Sequence, residues 1–382
     1  MMDHADILHR CFRCGYCKMP GDYADINCPS YLCFRFESFS PGGRLWLLRA
    51  LLDGEIKAGP RLGEIMYSCA ACGNCVEHCV FPKFKDDILK ALVAGREELV
   101  ERGAVPPPVR DYFKAMHVNG NPYKLPRADR AAWAAGLDLE PYQGQEYLFY
   151  VGDAGALDER GVKMARATAL LFKKLNLSLG ILGAGEAGDG AEVRAMGERG
   201  LFELLARENI ERFKSLGVKK VVALSPHAYH VFKNEYPALG GDFQVFHYTQ
   251  VLAPLVRQAM PVGRAERIKT VFHDPCQLGR LNGEYQAPRT ILRSLPGLQV
   301  LEMDRSRKNA LCCGGGGGNF FTDILGNGAA RARVREAAGT GAEILAVACP
   351  KCLKMLEDAV KTEELEPRIR VLDLSELVLS QL

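Results

Sequence analysis

The chain has 382 residues, 48% of them apolar and 25% charged, with a formal net charge of +3. These values fit a globular protein of two or three domains and give no basis for nucleic-acid binding. The opening residues MMDHADILHR lack the basic-then-apolar pattern of a secretory signal, and no stretch approaches the roughly 18 consecutive apolar residues of a membrane span. A cytoplasmic protein with no span of its own, meeting a membrane only through a partner, is the expectation.

The fourteen cysteines fall in two groups, with none between Cys79 and Cys276. Disulfide scaffolds belong to small secreted chains, so metal ligation is the better reading. The first run, CFRCGYCKMPGDYADINCP, places Cys11, Cys14 and Cys17 at CxxCxxC spacing, and Cys28-Pro29 follows after ten residues. The second, SCAACGNCVEHCVFP, places Cys69, Cys72, Cys75 and Cys79 at the spacing of a bacterial ferredoxin, with Val80 where proline is usual. Three thiolates on a tight turn can hold three corners of an iron–sulfur cube, and a fourth must arrive from elsewhere. In two-cluster ferredoxins the fourth cysteine of each run serves the other cluster. That pattern assigns Cys11, Cys14, Cys17 and Cys79 to one [4Fe–4S] cluster and Cys69, Cys72, Cys75 and Cys28 to a second. The long spacer makes Cys28 the least secure ligand, with Cys33 as its rival. Zinc knuckles would leave the third cysteine of each CxxCxxC redundant.

Between and after these runs, PGGRLWLLRALLDGEIK and DDILKALVAGREELVERG carry apolar residues at helical spacing, so residues 1–105 read as a helical ferredoxin-like domain. The prolines of VPPPVR end the last helix and open a linker over 106–145. From Tyr147 onward strand-like runs such as YLFYVGD and KKVVALSP alternate with amphipathic helices. This predicts α/β layers with mostly parallel strands, over 146–262 and again over 263–382.

The two halves of this region align. RENIERFKSLGVKKVVALSPHA lies over RARVREAAGTGAEILAVACPKC at a shift of 124, which puts Ser225 on Cys349 and Ala228 on Cys352. The same shift puts Gly188, Asp189 and Gly190 on Cys312, Cys313 and Gly314, and a shift of 123 puts Asp153 on Cys276. FQVFHYTQVL and IRVLDLSELV match at 126. The region is therefore a duplication in which all five cysteine positions are filled in one copy and vacated in the other. ILGAGEAGDG contains GxGxxG at Gly183, Gly185 and Gly188, but no acidic partner on a second strand completes a dinucleotide fingerprint. It reads instead as the vacated counterpart of the cysteine-rich loop.

The filled copy carries HDPCQLGR, LCCGGGGGNFF and ACPKC, hence Cys276, Cys312, Cys313, Cys349 and Cys352. Five thiolates exceed what tetrahedral zinc or a simple cube requires, which points to an unusual iron–sulfur cluster. The glycines Gly314 to Gly318 let backbone N–H groups approach sulfur closely. His273 is the candidate proton donor or substrate contact, with a supporting structural role as the alternative. Arg280 and Arg289 are candidates for holding an anion, and His227 with His230 for a metal in the emptied copy.

HDPCxLGR, CCGGGGG and CPKC resemble the cysteine-rich CCG domain of the heterodisulfide reductase family. The whole arrangement is similar to the D-subunit of the membrane-bound enzyme. The resemblance implies an α + α/β fold, a helical two-cluster domain followed by two duplicated CCG-type domains. It implies a non-cubane [4Fe–4S] cluster on the five cysteines beside two cubane [4Fe–4S] clusters. It also implies an electron-transfer subunit of a redox complex, with a flavoprotein, a cytochrome b-type membrane subunit or an acyl-CoA reductase module as partner. The alternative is a catalytic subunit that reduces the disulfide of a small thiol or carrier protein at the non-cubane cluster. Family members with cysteines in both CCG domains cleave their disulfide between two clusters, so Asp153, Asp189, Ser225 and Ala228 argue against that two-cluster chemistry here.

Overall fold

The computed structural model describes residues 4–19, 25–260 and 268–382. The expected boundary between the two α/β units, at 262/263, lies outside the described residues. The N-terminal region is helical, with helices Pro29–Phe34, Pro41–Leu52, Pro60–Tyr67, Asn74–His78 and Asp87–Glu101. Proline opens three of these at the first position, where its missing N–H costs nothing and its fixed φ already suits a helix. The buried Arg44 ties them together, donating to Ile65 O at 2.8 Å, Ser30 Oγ at 2.9 Å, Phe39 O at 2.6 Å and Ser68 Oγ at 2.8 Å.

Residues 106–145, expected as a linker, fold as the helix Pro107–Asn119 and a 3₁₀ stretch over Arg127–Ala134. They send Tyr112, Met116 and Trp133 into the core. The apolar spacing of PPVRDYFKAMHVN lets it dock rather than extend.

The two α/β units each hold a parallel four-stranded sheet. The first consists of β1 (Tyr147–Tyr150), β2 (Leu179–Gly180), β3 (Lys220–Ala223) and β4 (Gln244–His247), in the order β2-β1-β3-β4. The second consists of β5 (Ile268–Phe272), β6 (Leu298–Leu301), β7 (Ile344–Val347) and β8 (Arg370–Asp373), in the order β6-β5-β7-β8. Helices on both faces bury the central strands, and every residue of β7 is buried.

The strand registers reproduce the sequence shifts. Leu148 pairs with Val221 in one sheet and Val271 with Leu345 in the other, as shifts of 123 and 124 require. Val221 pairs with Val245 and Leu345 with Val371, as a shift of 126 requires. The final strands end alike: His247 and Asp373 both cap the following helix, each in a capping box with Gln250 or Glu376. The matched glycines Gly190 and Gly314 share left-handed backbone, with φ of 75° and 87°.

Candidate iron–sulfur sites

The two CxxCxxC runs fold alike. Arg13 and Gly15 in the first have φ of 56° and 89°, and Ala71 and Gly73 in the second have 48° and 73°. Two left-handed residues curl each run so that its thiols converge. Cys11, Cys14, Cys17 and Cys79 line one cavity, closed by Ile7, Leu45, Phe81, Phe84 and Ile88. Burial and the neighbouring Cys28, Cys11 and Cys14 push the Cys17 thiol well above its ordinary range. A thiol in that setting ionises only when a cation compensates it.

Cys69, Cys72 and Cys75 form the second group. Cys75 is pushed well above its ordinary range by burial and by Cys69, Cys17, Cys72 and Cys28. Cys28 caps the helix Pro29–Phe34, is buried, and interacts with Cys72. Cys33 lies one turn further along that helix and packs on the distant Gly328, where a Cβ would come within 2.9 Å of its sulfur. The fold therefore brings Cys28, rather than Cys33, to the second group.

All five C-terminal cysteines are buried. Cys276 follows β5, Cys349 follows β7, and Cys312 and Cys313 arrive on the loop between β6 and the helix Asn319–Thr322, so the thiols gather at the carboxyl ends of the central strands. Cys312 Sγ lies 3.6 Å from Cys276 Sγ, and Cys313 Sγ lies 3.3 Å from Cys352 Sγ. Gly314 N donates to Cys312 Sγ at 3.4 Å. The adjacent Cys312 and Cys313 thus reach different partners, which a single tetrahedral ion would not require.

His273 lies against this group, with one ring nitrogen, Cys313 Sγ and Cys352 Sγ all within 4.8 Å of one another. Arg333 Nε donates to its Nδ1 at 3.2 Å. An arginine cannot accept, so the imidazole proton sits on Nε2, which is buried and has no hydrogen-bond partner. Arg280 Nη2 is likewise buried and unpartnered, and its guanidinium senses the thiols of Cys72, Cys276 and Cys312. Orphaned N–H groups beside a cluster of buried thiols are the donors that a thiolate- and sulfide-rich group would occupy. The residues fit an iron–sulfur cluster.

The second and third groups share a wall. Cys72 packs in one buried cluster with Cys276 and Cys312, and the Cys312 thiol together with burial pushes the Cys72 thiol well above its ordinary range. Arg280 Nε donates to Cys72 O at 3.0 Å and its Nη1 to Lys308 O at 3.3 Å, stitching the ferredoxin loop to the C-terminal unit. The glycine run explains the close approach. A Cβ at Gly316 would lie 2.5 Å from Ala70 O, and one at Gly317 would collide with Cys69 O. Gly314 does donate to sulfur as the sequence suggested, but Gly316 and Gly317 are glycine because the Cys69–Cys72 loop packs on them.

The vacated site is filled with polar contacts. Asp153 pairs with the buried Arg130, whose Nη1 also reaches Glu186 at 3.4 Å. Glu186 accepts from Val151 N at 3.1 Å and Gly152 N at 2.9 Å. Asp189 accepts from Ala191 N at 2.7 Å, and Ser225 Oγ from His227 N at 3.2 Å. Where the filled copy has thiols, this copy has a salt bridge supplied by Arg130 from the 106–145 segment.

The remaining candidate residues have other partners. Arg289 is no anion site: its guanidinium is buried and bidentate on Asp274 at 2.7 and 3.0 Å, and it also binds Glu302 at 2.7 and 2.8 Å. His227 and His230 do not converge on a metal. His230 Nδ1 faces Asn234 and Asn282 at 3.1 Å each, whereas His227 Nδ1 lies 2.9 Å from Glu192 Oε1. Burial and Lys351 oppose charging His227, but Glu192 and Cys349 outweigh them and hold its pKa up at about 9. Sequence reasoning missed Arg130, Glu192 and Lys351. Only Lys351 left a signal, since a shift of 124 places it on His227.

Two ferredoxin-type cysteine groups set against a five-cysteine α/β unit define an iron–sulfur oxidoreductase. The 4Fe-4S dicluster domain family matches residues 7–81, and the CCG cysteine-rich domain family matches residues 270–357. The D-subunit of the dihydromethanophenazine:CoB–CoM heterodisulfide reductase of Methanosarcina barkeri is 30% identical over 390 residues, covering 97% of this chain and 93% of that protein. The chain belongs to the family of heterodisulfide reductase D-subunits. It is also 35% identical to the probable iron-sulfur-binding oxidoreductase FadF of Bacillus subtilis and 34% identical to the EtfAB:quinone oxidoreductase of Syntrophomonas wolfei, over 82% of its length in each case. It spans 46% of each of those two longer proteins. A hypothetical protein from Helicobacter pylori superposes with a TM-score of 0.56 at 13% identity, over 92% of this chain and 70% of that one, a likeness of fold alone. Among the described residues no helix is long and apolar enough to cross a membrane.

Proposed function

We propose that the chain is the electron-relay subunit of a heterodisulfide-reductase-like complex, with two cubane sites leading to one non-cubane site. Cys11, Cys14, Cys17 and Cys79 would hold the outer cubane, and Cys69, Cys72, Cys75 and Cys28 the inner one. Cys276, Cys312, Cys313, Cys349 and Cys352 would hold the non-cubane cluster. Such clusters supply one-electron carriers whose potentials follow hydrogen bonding and burial. The observation that carries the reading is the packing of the Cys69–Cys72 loop on the glycine run of the five-cysteine unit, with Arg280 Nε donating to Cys72 O at 3.0 Å. The protein orders the path: Cys14 is exposed, while Cys28, Cys72 and Cys75 are buried. Phe12 and Val80, 60% and 45% exposed, flank the outer site and suit a partner such as a flavoprotein, a cytochrome b-type membrane subunit or an acyl-CoA reductase module.

Anaerobic iron analysis and EPR during a reductive titration test this. About twelve irons per chain are expected, four for each cluster, with spin–spin broadening between one ferredoxin-type signal and the non-cubane signal. Replacing Cys312 with serine should remove the latter signal and that broadening while both ferredoxin-type signals persist. About eight irons, or three magnetically isolated clusters, would contradict the relay. The second reading, disulfide reduction at the five-cysteine site, is favoured by the buried His273 imidazole beside Cys313 and Cys352. Reoxidation of the reduced protein by small disulfides would support it, and no reoxidation would leave the relay alone.

A further inference from the structure

We propose that the cavity where the helical N-terminal region meets both α/β units is a binding site for a small uncharged phenol, a fused-ring aromatic molecule whose hydroxyl group is held by Gln277 and His230. The inference goes beyond the cluster assignments and does not rest on them.

The cavity has a volume of about 270 Å³. An engineered apolar cavity of ~150 Å³ takes one benzene ring, so this one suits two fused rings. Its walls come from all three parts of the chain: Val76, Leu89 and Val93 from the N-terminal helices, Val231 from the cysteine-free unit and Leu281 from the five-cysteine unit. Leu281 is itself packed on the ferredoxin-like loop, since a Cβ at Gly73 would lie 2.6 Å from its Cδ2.

Two polar side chains of the lining stand together. Gln277 is 7% exposed, and its Oε1 is buried without a hydrogen-bond partner, an acceptor that the fold leaves over. Asn282 Nδ2 donates to Gln277 O at 2.6 Å and reaches His230 Nδ1 at 3.1 Å, which sets the two lining residues side by side. Asn234 Nδ2 faces the same ring nitrogen at 3.1 Å. An amide nitrogen cannot accept, so His230 Nδ1 accepts and Nε2 carries the hydrogen. Burial keeps the ring neutral, lowering its pKa to about 4. A spare acceptor beside an N–H donor matches a hydroxyl group, which donates and accepts through one oxygen.

The charges of the lining disfavour an anion or a nucleotide. Lys90 already pairs with Asp87 at 3.1 Å, and Arg194 with Glu97 at 2.5 Å and Glu235 at 3.4 Å. Neither cation is free to take a phosphate, whereas an uncharged ring makes no such demand.

The test is equilibrium dialysis of the full, anaerobically purified chain against naphthol, its methyl ether and naphthyl phosphate. One naphthol per chain is expected to bind, about tenfold more tightly than the ether, which cannot donate and leaves Gln277 Oε1 unpaired. The phosphate should bind more weakly still. Gln277→Leu should erase the preference for naphthol over the ether. Leu89→Trp fills the cavity from the N-terminal side and should abolish binding, with iron content and the ferredoxin-type signals unchanged. Should either variant fail to fold, the three compounds on the unaltered protein still decide. No saturable binding of naphthol, equal binding of naphthol and ether, tighter binding of the phosphate, or binding that survives Leu89→Trp overturns the proposal.

Discussion

Arg280 Nε donates to the carbonyl oxygen of Cys72 at 3.0 Å, joining the C-terminal α/β unit to the ferredoxin-like loop at the place where their cysteines meet. The cation sits among Cys72, Cys276 and Cys312, so one side chain faces both groups of thiols. A buried arginine in that position offsets part of the negative charge that two neighbouring thiolate-bound clusters would concentrate there. The contact also fixes how the two units pack, and substitution in the glycine run beside it probes that packing.

Gly317 has a φ of 62° and no room for a Cβ against Cys69 O. Gly317→Ala should lower unfolding stability by more than about 2 kcal/mol, from left-handed strain plus backbone displacement. It should also loosen the Cys69–Cys75 group, reported by loss of the spin coupling to the non-cubane signal. Gly341→Ala is the control, because its φ is 75° but nothing lies within 4 Å. It should show the strain alone, about 1 kcal/mol, with EPR unchanged.

Arg289→Met leaves Asp274 buried without its bidentate partner. Asp274 keeps only lesser contacts, among them Arg307 N at 2.7 Å. Breaking a buried pair from one side costs about 3–5 kcal/mol, so a large fall in denaturation midpoint is expected. An unaltered midpoint with weakened anion binding would restore the anion-site reading of Arg289.

Arg130→Met should likewise cost about 3–5 kcal/mol near neutral pH, because Asp153 and Glu186 lose their shared cation. Burial already raises Glu186 to about 7 despite Arg130. Without the cation Glu186 favours its neutral form still more, so the deficit should shrink as pH falls. Chemical denaturation of the two proteins at pH 8 and pH 6 measures this. A deficit independent of pH would show that the salt bridge is not what fills the vacated site.

Asp373 accepts from Tyr248 Oη at 2.7 Å across the two α/β units and caps its own helix through Ser375. Burial, aided by Glu376, raises it from an ordinary 3.8 to about 7. A carboxyl raised in the folded state favours folding at low pH, and that contribution disappears as pH rises from its unfolded value through its folded one. Asp373→Asn keeps an acceptor and removes the titration. Its stability relative to the unaltered protein should therefore improve steadily between pH 5 and pH 7. A constant difference would place the folded pKa of Asp373 near its ordinary value.

Some of this molecule is legible from local spacing alone. CxxCxxC fixes three thiols on one tight turn because five or so residues cannot spread them, and Arg13/Gly15 and Ala71/Gly73 supply the same left-handed turns in both runs. The shifts of 123, 124 and 126 anticipated the sheet registers, since a strand displaced by one residue would turn its buried side chains to the wrong face. The helical docking of 106–145 was not legible, because VPPPVR marks a helix start as readily as a break. Nor was the role of Arg289, whose partner Asp274 lies beside it only after β5 and the helix Gln286–Ser294 have packed.

What the sequence determined by itself is therefore the inventory and its grouping: eight thiols for two ferredoxin-type sites, five for a third, and one duplicated unit emptied of cysteine. These follow from residue types held close along the chain or repeated at fixed intervals. The tertiary structure decided which groups touch. Cys72 beside Cys312, the Cys69–Cys72 loop on the glycine run, Lys351 on Glu192 and Arg130 in the vacated site all depend on how separate units dock. Docking is set by the shapes and charges of whole faces, which no local spacing encodes, and here it brings the ferredoxin-type loop and the five-cysteine unit together.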